Sequence, residues 1–512
     1  MSKFLRLFAL LIALIILLTG VVGCDLFSSE DDDDDDERST RKKRTKATAD
    51  PSVVTTDPNY AVTTDPNAPG SEYNSKLPNY DWNGDYFYIL GADGGTISSL
   101  TNFEIWREDM PGDVVGDAVW LRNETLKKTY NFYVEQNLVK NVKKEAQIRY
   151  DAQEELYDLV IYKPADALYH ASSGYLLDLN TVQYIDYNHP TWSEGINKSL
   201  SIKGSLYFTT SHFLLQDKAR THVLFYNRDL AKDHDLGSFE ELVDKNQWTL
   251  DVFEGFAKTL SIDIDGGGKG HAGDSFGLVS PSTSGFPALL YGGGFAYGVN
   301  DGNKVTLVGA TQDMKDIVTA VGNVWFDNTV TCMPEDFTPI DYNITSHIFR
   351  EDRALFLAGF FGDVNFESLS SDVPDVGVLP FPKMSSSQEN YYNHVDHITS
   401  SVFAIPCTVS DPARVGFYLE AVSEASTDTS YRAFIDSKCR IGDNYDEDVF
   451  RMLTLSFDSM SYDLVNVSDV GALYMIISTQ IPQFRANIFE RLYNAKGDLP
   501  HSELDRLYEN FY

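Results

Sequence analysis

"YDLVIYKPADALYHASSGYLLDLN", residues 157–180, sets a short unbroken apolar run against a helix-like segment, and its reading decides the fold. In "DLVIY" (Asp158–Tyr162) both alternating sets of side chains are apolar, as in a strand buried on both faces of a parallel sheet. The same rhythm precedes it. "YFYIL" (Tyr86–Leu90) is a strand ended by "GADGG". "VVGDAVWLRNETLKKTY" (Val114–Tyr130) then lines Val115, Val119, Arg122, Leu126 and Tyr130 along one helical face. "NFYVE" (Asn131–Glu135) reads as a second strand, and a charged helix follows from about Val142 to Glu154. Downstream, "THVLFYNRDL" is strand then helix. "WTLDVFEGFAKTL" carries a core stripe of Phe253, Phe256, Ala257 and Leu260, with Thr249 as N-cap. "VGVLPFP" and "SSVFAIP" are late strands closed by proline. Such alternation predicts an α/β fold with mainly parallel sheets.

The first 80 residues follow other rules. Lys3 and Arg6 precede an apolar run, Leu7–Leu18, that falls short of the about 20 residues a membrane span needs. A basic start, a short apolar core and small residues before a cut make a secretory signal peptide. It ends at "VVGC" (Val21–Cys24), which resembles a bacterial lipoprotein processing box, so Cys24 is expected to carry the lipid. Two or three acyl chains anchor a protein stably. Beyond it come six aspartates (Asp31–Asp36), the basic "RKKRTK" (Arg41–Lys46) and two copies of "VTTDPN", beginning at Val54 and Val62. Like charges repel, aromatics are scarce, and each Asp-Pro favours turn or extended chain, so residues 24–80 read as a disordered lipidated stalk.

Formal charge is −35, nearly all of it beyond residue 50. That field excludes nucleic acid as a partner and disfavours strongly anionic ligands. Cys332, Cys407 and Cys439 have no CxxC spacing, so at most one disulfide could form and zinc has no ligand set. HExxH is absent.

Residues 157–180, "THVLFYNRDLAKDHDL", "QWTLDVFEGFAKTLSIDIDGGG", "DVGVLPFPK" and "SSVFAIPCTVSDPARVGFYLEAV" together resemble, in order and spacing, the extracellular solute-binding lipoproteins of ABC importers. The resemblance is to the large carbohydrate-binding family that includes maltose-binding protein, and it spans about residues 81–512. It implies a type II periplasmic-binding-protein-like fold of two lobes, each a mainly parallel sheet flanked by helices and discontinuous in sequence. Lobe one would comprise 81–208 and 393–445. Lobe two would comprise 209–392 and the C-terminal helices of 446–512, with a signal peptide at 1–23. The implied function is non-enzymatic capture of a carbohydrate, an oligosaccharide first, by a monomer anchored on the outer face of a bacterial membrane. Its partners would be ABC permease subunits. A secreted glycan-active enzyme and a binder of peptides or other polar solutes are the alternatives.

Open α/β sheets bind ligands at the C-terminal ends of their strands. That rule points to Lys163, Asp166 and Tyr169 after "DLVIY" and to Thr210, Ser211 and His212 after "SLYFTTSHF". It also points to Ser282, Thr283 and Ser284 after "FGLVS" and to Phe360 and Phe361 after "RALFLAGFF". A sugar offers apolar ring faces and a belt of hydroxyls, so aromatic platforms are wanted as well. Trp106 and Trp192, each in a polar neighbourhood, are candidates. His394 and Asp396 of "HVDH" stand at the expected second crossing as cleft-lining polar groups. One metal site is conceivable. In "DIDGGGKGHAGD", Asp263, Asp265, Gly268 and Asp274 fall at positions 1, 3, 6 and 12 of an EF-hand-like calcium loop, though glycine occupies position 5. No other cofactor is expected.

Overall fold

The computed structural model describes residues 75–96, 98–264, 266–280, 285–337, 339–341, 343–363, 375–441, 444–484 and 488–511. Cys24, Asp265, Ser282, Thr283 and Ser284 lie outside the described residues. Among the described residues no helix is long and apolar enough to cross a membrane.

Nine strands build two sheets: β1 (Asp85–Ala92), β2 (Phe132–Val139), β3 (Leu159–Tyr162), β4 (His222–Asn227), β5 (Phe276–Val279), β6 (Thr331–Cys332), β7 (Ala354–Phe360), β8 (Val376–Leu379) and β9 (Val402–Ala404). The first sheet has the order β9-β3-β1-β2 and the second β8-β4-β7-β5-β6. In the first, β1 runs parallel to β2 and β3, and β9 opposes β3. In the second, β5 is parallel to β6 and β7, while β4 opposes both β7 and β8. This sheet is therefore more mixed than its apolar runs announce. β4 enters by a crossing from the first sheet rather than by a helical return within its own.

β3, β4 and β5 are buried at every position, as strands covered on both faces must be. The helix Val114–Tyr130 starts on Asp113, whose side chain caps Gly116 N–H, and stops at Asn131 in the left-handed conformation (φ 53°). Arg122, the lone charge on its inner stripe, is fully buried. Its guanidinium donates to the carbonyls of Glu104 and Ile105, each at 2.8 Å, and to Ser426 Oγ. The helix Leu250–Thr259 lies against β5 because residue 277 is glycine: a Cβ there would stand 2.0 Å from the carbonyl oxygen of Ala257. Thr249 occupies the N-cap position, yet its hydroxyl turns to Asp251 instead of capping a backbone amide.

The two sheets are joined by crossings that pair with each other. Thr209 bridges Phe403, Thr221 bridges Val395, and Asp396 N–H donates to Arg220 O at 3.0 Å. The helix Glu447–Asp458 packs on β8 of the second sheet, whereas the helix Pro412–Ser426 packs on Val114–Tyr130 of the first. Cys332, Cys407 and Cys439 are free thiols.

Candidate functional site

A cavity of about 640 Å³ opens where three separate stretches meet. The loop after β3 supplies Lys163, Ala165 and Asp166. The second crossing supplies Asp396, His397 and Ile398. The C-terminal turns supply Asn466, Val467, Asp469, Tyr474, Met475, Ser478 and Thr479. Its size is within the roughly 300–1,000 Å³ of small-molecule sites. The mixture of hydroxyls, amide, carboxylates, the His397 imidazole and the Tyr474 ring suits a ligand with both apolar faces and polar edges.

Behind the lining, aromatic and imidazole rings pack against one another. His222 of β4 lies 5.6 Å from His394, whose ring stacks on Tyr291 at 4.7 Å and 9°. His397 meets Tyr474 edge-on at 4.6 Å and 87°. Burial makes the charged imidazolium costly, so His222 is pushed down to about 4, His394 well below the usual range, and His397 down as well. Asp396 lines the cavity, but its carboxylate accepts from Ile398 N–H at 3.0 Å and from the Thr399 hydroxyl. It shapes the crossing. Beneath Asn466, Asp463 accepts from Tyr291 OH (3.2 Å) and from the amides of Tyr297 (2.8 Å) and Gly298 (3.3 Å). Burial pushes its carboxyl up to about 6.

Of the residues picked from sequence, Lys163, Asp166 and Asp396 share this cavity. Tyr169 stands just behind it, about half exposed, with the Lys143 ammonium 3.9 Å above its ring and Lys143 paired to Asp166 at 3.4 Å. A second cavity of about 250 Å³ collects Trp192, Thr210, Ser211 and His212. These side chains are occupied internally. Trp192 is buried, with Nε1 donating to Glu420 at 3.0 Å. Thr210 donates to Asp217 at 2.7 Å, Ser211 pairs with Ser423 at 2.8 Å, and the His212 ring stacks on Tyr431 at 3.7 Å. They hold the first crossing in place rather than present free edges to a ligand.

Phe361 departs furthest from the sequence reading. It is fully buried between Phe434 and Phe457, because the chain turns inward directly after β7. Phe360 is half-buried, 4.1 Å from His222, and Trp106 is half-buried against the core. His394 lies too deep to reach the cavity. In the calcium-like loop, Asp263 accepts from the amides of Gly266 (2.7 Å) and Gly268 (3.1 Å). Asp274 accepts from those of Ile264 (3.2 Å) and His271 (2.8 Å). Both carboxylates therefore organise the loop's own backbone, and no metal-holding group of three or more His, Cys, Asp or Glu occurs among the described residues.

Sequence reasoning missed the third wall, residues 466–479. A signal was present in "NVSDVGALYMIISTQ", where small hydroxyl and amide side chains interrupt an apolar helix around one tyrosine. The backbone there is unusual: Asp469, Gly471 and Ala472 all have positive φ (52°, 60° and 48°), and Ile476–Gln480 forms a turn of π-helix. Both features concentrate at ligand sites.

No protein-family model matches the sequence, and no curated protein sequence matches it. Solved structures do. RafE from Streptococcus pneumoniae in its apo form aligns with TM-score 0.52 and 13% identity, covering 81% of this chain and 98% of that one. A cyclo/maltodextrin-binding protein complexed with maltotetraose aligns with TM-score 0.50 and 13% identity, covering 84% and 96%. An ABC substrate-binding protein from Listeria monocytogenes in complex with cycloalternan aligns with TM-score 0.44 and 14% identity, covering 84% and 97%. The chain thus has the two-lobed α/β fold of the maltodextrin-binding type of ABC substrate-binding protein.

Proposed function

We propose that this protein captures an oligosaccharide in the cavity between its two sheets and delivers it to an ABC importer without chemical turnover. The observation that carries this reading is the cavity itself, whose three walls come from the loop after β3, the second crossing and the C-terminal turns. Walls drawn from elements that meet only across the crossings let hinge closure trap a ligand. Two structures with TM-scores of 0.50 or above share the fold, and one of them holds maltotetraose. In this reading lobe one comprises 81–208 and 393–445 and lobe two 209–392 and 446–512. The monomer is tethered through Cys24 at the outer face of the membrane. Tyr474 provides the sugar platform.

The test is a fluorescence titration with malto-, isomalto-, cello- and galacto-oligosaccharides of two to six units, monitored for released sugar. Tyr474→Ala should weaken the best binder by about 2 kcal/mol, as for an aromatic anchor. Hydrolysis during the titration would establish the glycan-active alternative, and no binding by any sugar would remove the carbohydrate reading.

A further inference from the structure

Two large apolar side chains stand open to water on the cavity lining. Ile398 is 53% exposed and Met475 49% exposed, and both belong to the wall. Each is held by an ordered backbone. Ile398 N–H donates to Asp396 Oδ1 at 3.0 Å, and Met475 leads into the π-helical turn Ile476–Gln480, whose Ile476 and Ile477 are buried. The residues just before them, His397 and Tyr474, touch edge-on at 4.6 Å, so the second crossing and the C-terminal turns meet beside both side chains. The loop after β3 adds exposed Ala165. Lys163, Ser478 and Thr479 put polar groups on the same lining, yet most of the surface that the cavity presents is apolar. Exposed apolar side chains gathered in a concave site mark a place where a ligand's apolar part leaves water.

We propose, resting on the saccharide reading above, that the cavity selects an amphiphilic saccharide, one whose terminal unit carries an aliphatic chain, and that Ile398 and Met475 receive that chain. A pyranose shows a flat apolar face, which a planar ring matches. Among the described residues of the lining only Tyr474 supplies a tyrosine, tryptophan or phenylalanine ring. A branched isoleucine and a flexible methionine offer no plane. They suit an irregular aliphatic group, and methionine adapts to many such shapes. Pressed against a bare sugar they would cover hydroxyls without giving them a partner, which costs free energy. An anionic amphiphile such as a fatty acid is disfavoured by the field of a chain with formal charge −35. The neutral sugar head and the aliphatic chain thus each find a matching part of one wall.

Methyl and hexyl β-glycosides of maltose, cellobiose and lactose keep the sugar and change only the alkyl chain at the reducing end. Acetyl and hexanoyl esters of the same sugars place the chain at the other end. All are titrated calorimetrically into the full chain, with the hexyl compounds kept below their micellar range. Each methylene taken out of water strengthens binding about fourfold. In one of the two series the long-chain compound should therefore bind about tenfold tighter than its short-chain counterpart, or better. The double variant Ile398→Ser, Met475→Ser should bring that ratio down to about threefold or less. Both side chains stand half in water, thermal melts report folding, and the ratio within one variant is independent of any loss of folded protein. A smaller ratio in both wild-type series overturns the inference, as does a double variant whose ratio stays above about threefold. An oligosaccharide that binds free but in no alkylated or acylated form overturns it too. Each of these results leaves saccharide capture standing. No binding by any of these compounds or by the free oligosaccharides removes both.

Discussion

Replacing Arg414 by methionine should cost the folded protein about 3–5 kcal/mol. The guanidinium sits in the core beneath the first sheet, 5% exposed. It donates to Asp85 Oδ2 at 2.9 Å and to Asp158 Oδ1 at 2.6 Å. The partners are equally enclosed, Asp85 at 7% and Asp158 at 0% exposed. Tyr418 OH also donates to Asp85 at 3.0 Å, and Tyr88 N–H to Asp158 Oδ2 at 2.9 Å. One cation thus ties the start of β1, the residue before β3 and the helix Pro412–Ser426 together. Methionine fills much of the volume, so the expected loss is electrostatic: two carboxylates stranded in a low dielectric, for which breaking a buried pair costs about 3–5 kcal/mol. Guanidinium unfolding at pH 7, followed by tryptophan fluorescence, measures the difference. Adding Asp85→Asn and Asp158→Asn to the variant removes the stranded charges and should restore most of the stability, since neutral replacements of buried ion networks are often tolerated. A single-variant loss under about 1 kcal/mol, or no recovery in the triple variant, would refute the reasoning.

Three further expectations follow from named contacts. Burial, reinforced by Glu424, pushes the Glu420 carboxyl up to about 8. The folded state then keeps a proton that the unfolded chain loses above about 4.5, and Glu420's contribution to stability should fall as pH rises from about 4.5 to 8. Glu420→Gln preserves an acceptor for Trp192 Nε1 and should flatten that slope and exceed the wild type above pH 8, read by denaturant midpoints across the range; an unchanged slope would contradict it. Asp274→Ala strips the amides of Ile264 and His271 of their acceptor and should cost about 1–3 kcal/mol, equally with and without millimolar calcium. A calcium-dependent gain in melting temperature that vanishes in the variant would restore the metal role. Cys24→Ala should leave the body folded but release it from membranes, and equal retention after a carbonate wash would count against lipid anchoring.

Local sequence determined the elements. The helix Val114–Tyr130 is bounded by Asp113 and Asn131 because a carboxylate cap and a left-handed asparagine suit a helix's ends wherever the helix goes. β3 and β4 announce themselves as apolar runs because a strand covered on both faces has no solvent side to encode. Lys163, Asp166 and Asp396, picked because strand ends and crossings are where such sheets present their loops, line one cavity together. Tertiary structure decided what no local pattern carries. Phe360 and Phe361 are adjacent and alike, yet one lies half-buried beside His222 and the other fills the space between Phe434 and Phe457. Trp192 looked like a platform amid polar neighbours, and Glu420, 228 residues away, draws its indole inside. Asn466 and His397 line one cavity although 69 positions separate them, because the second crossing and the C-terminal turns come together only when the chain is packed. Burial and partnership depend on what lies across space, and a short window of sequence contains neither.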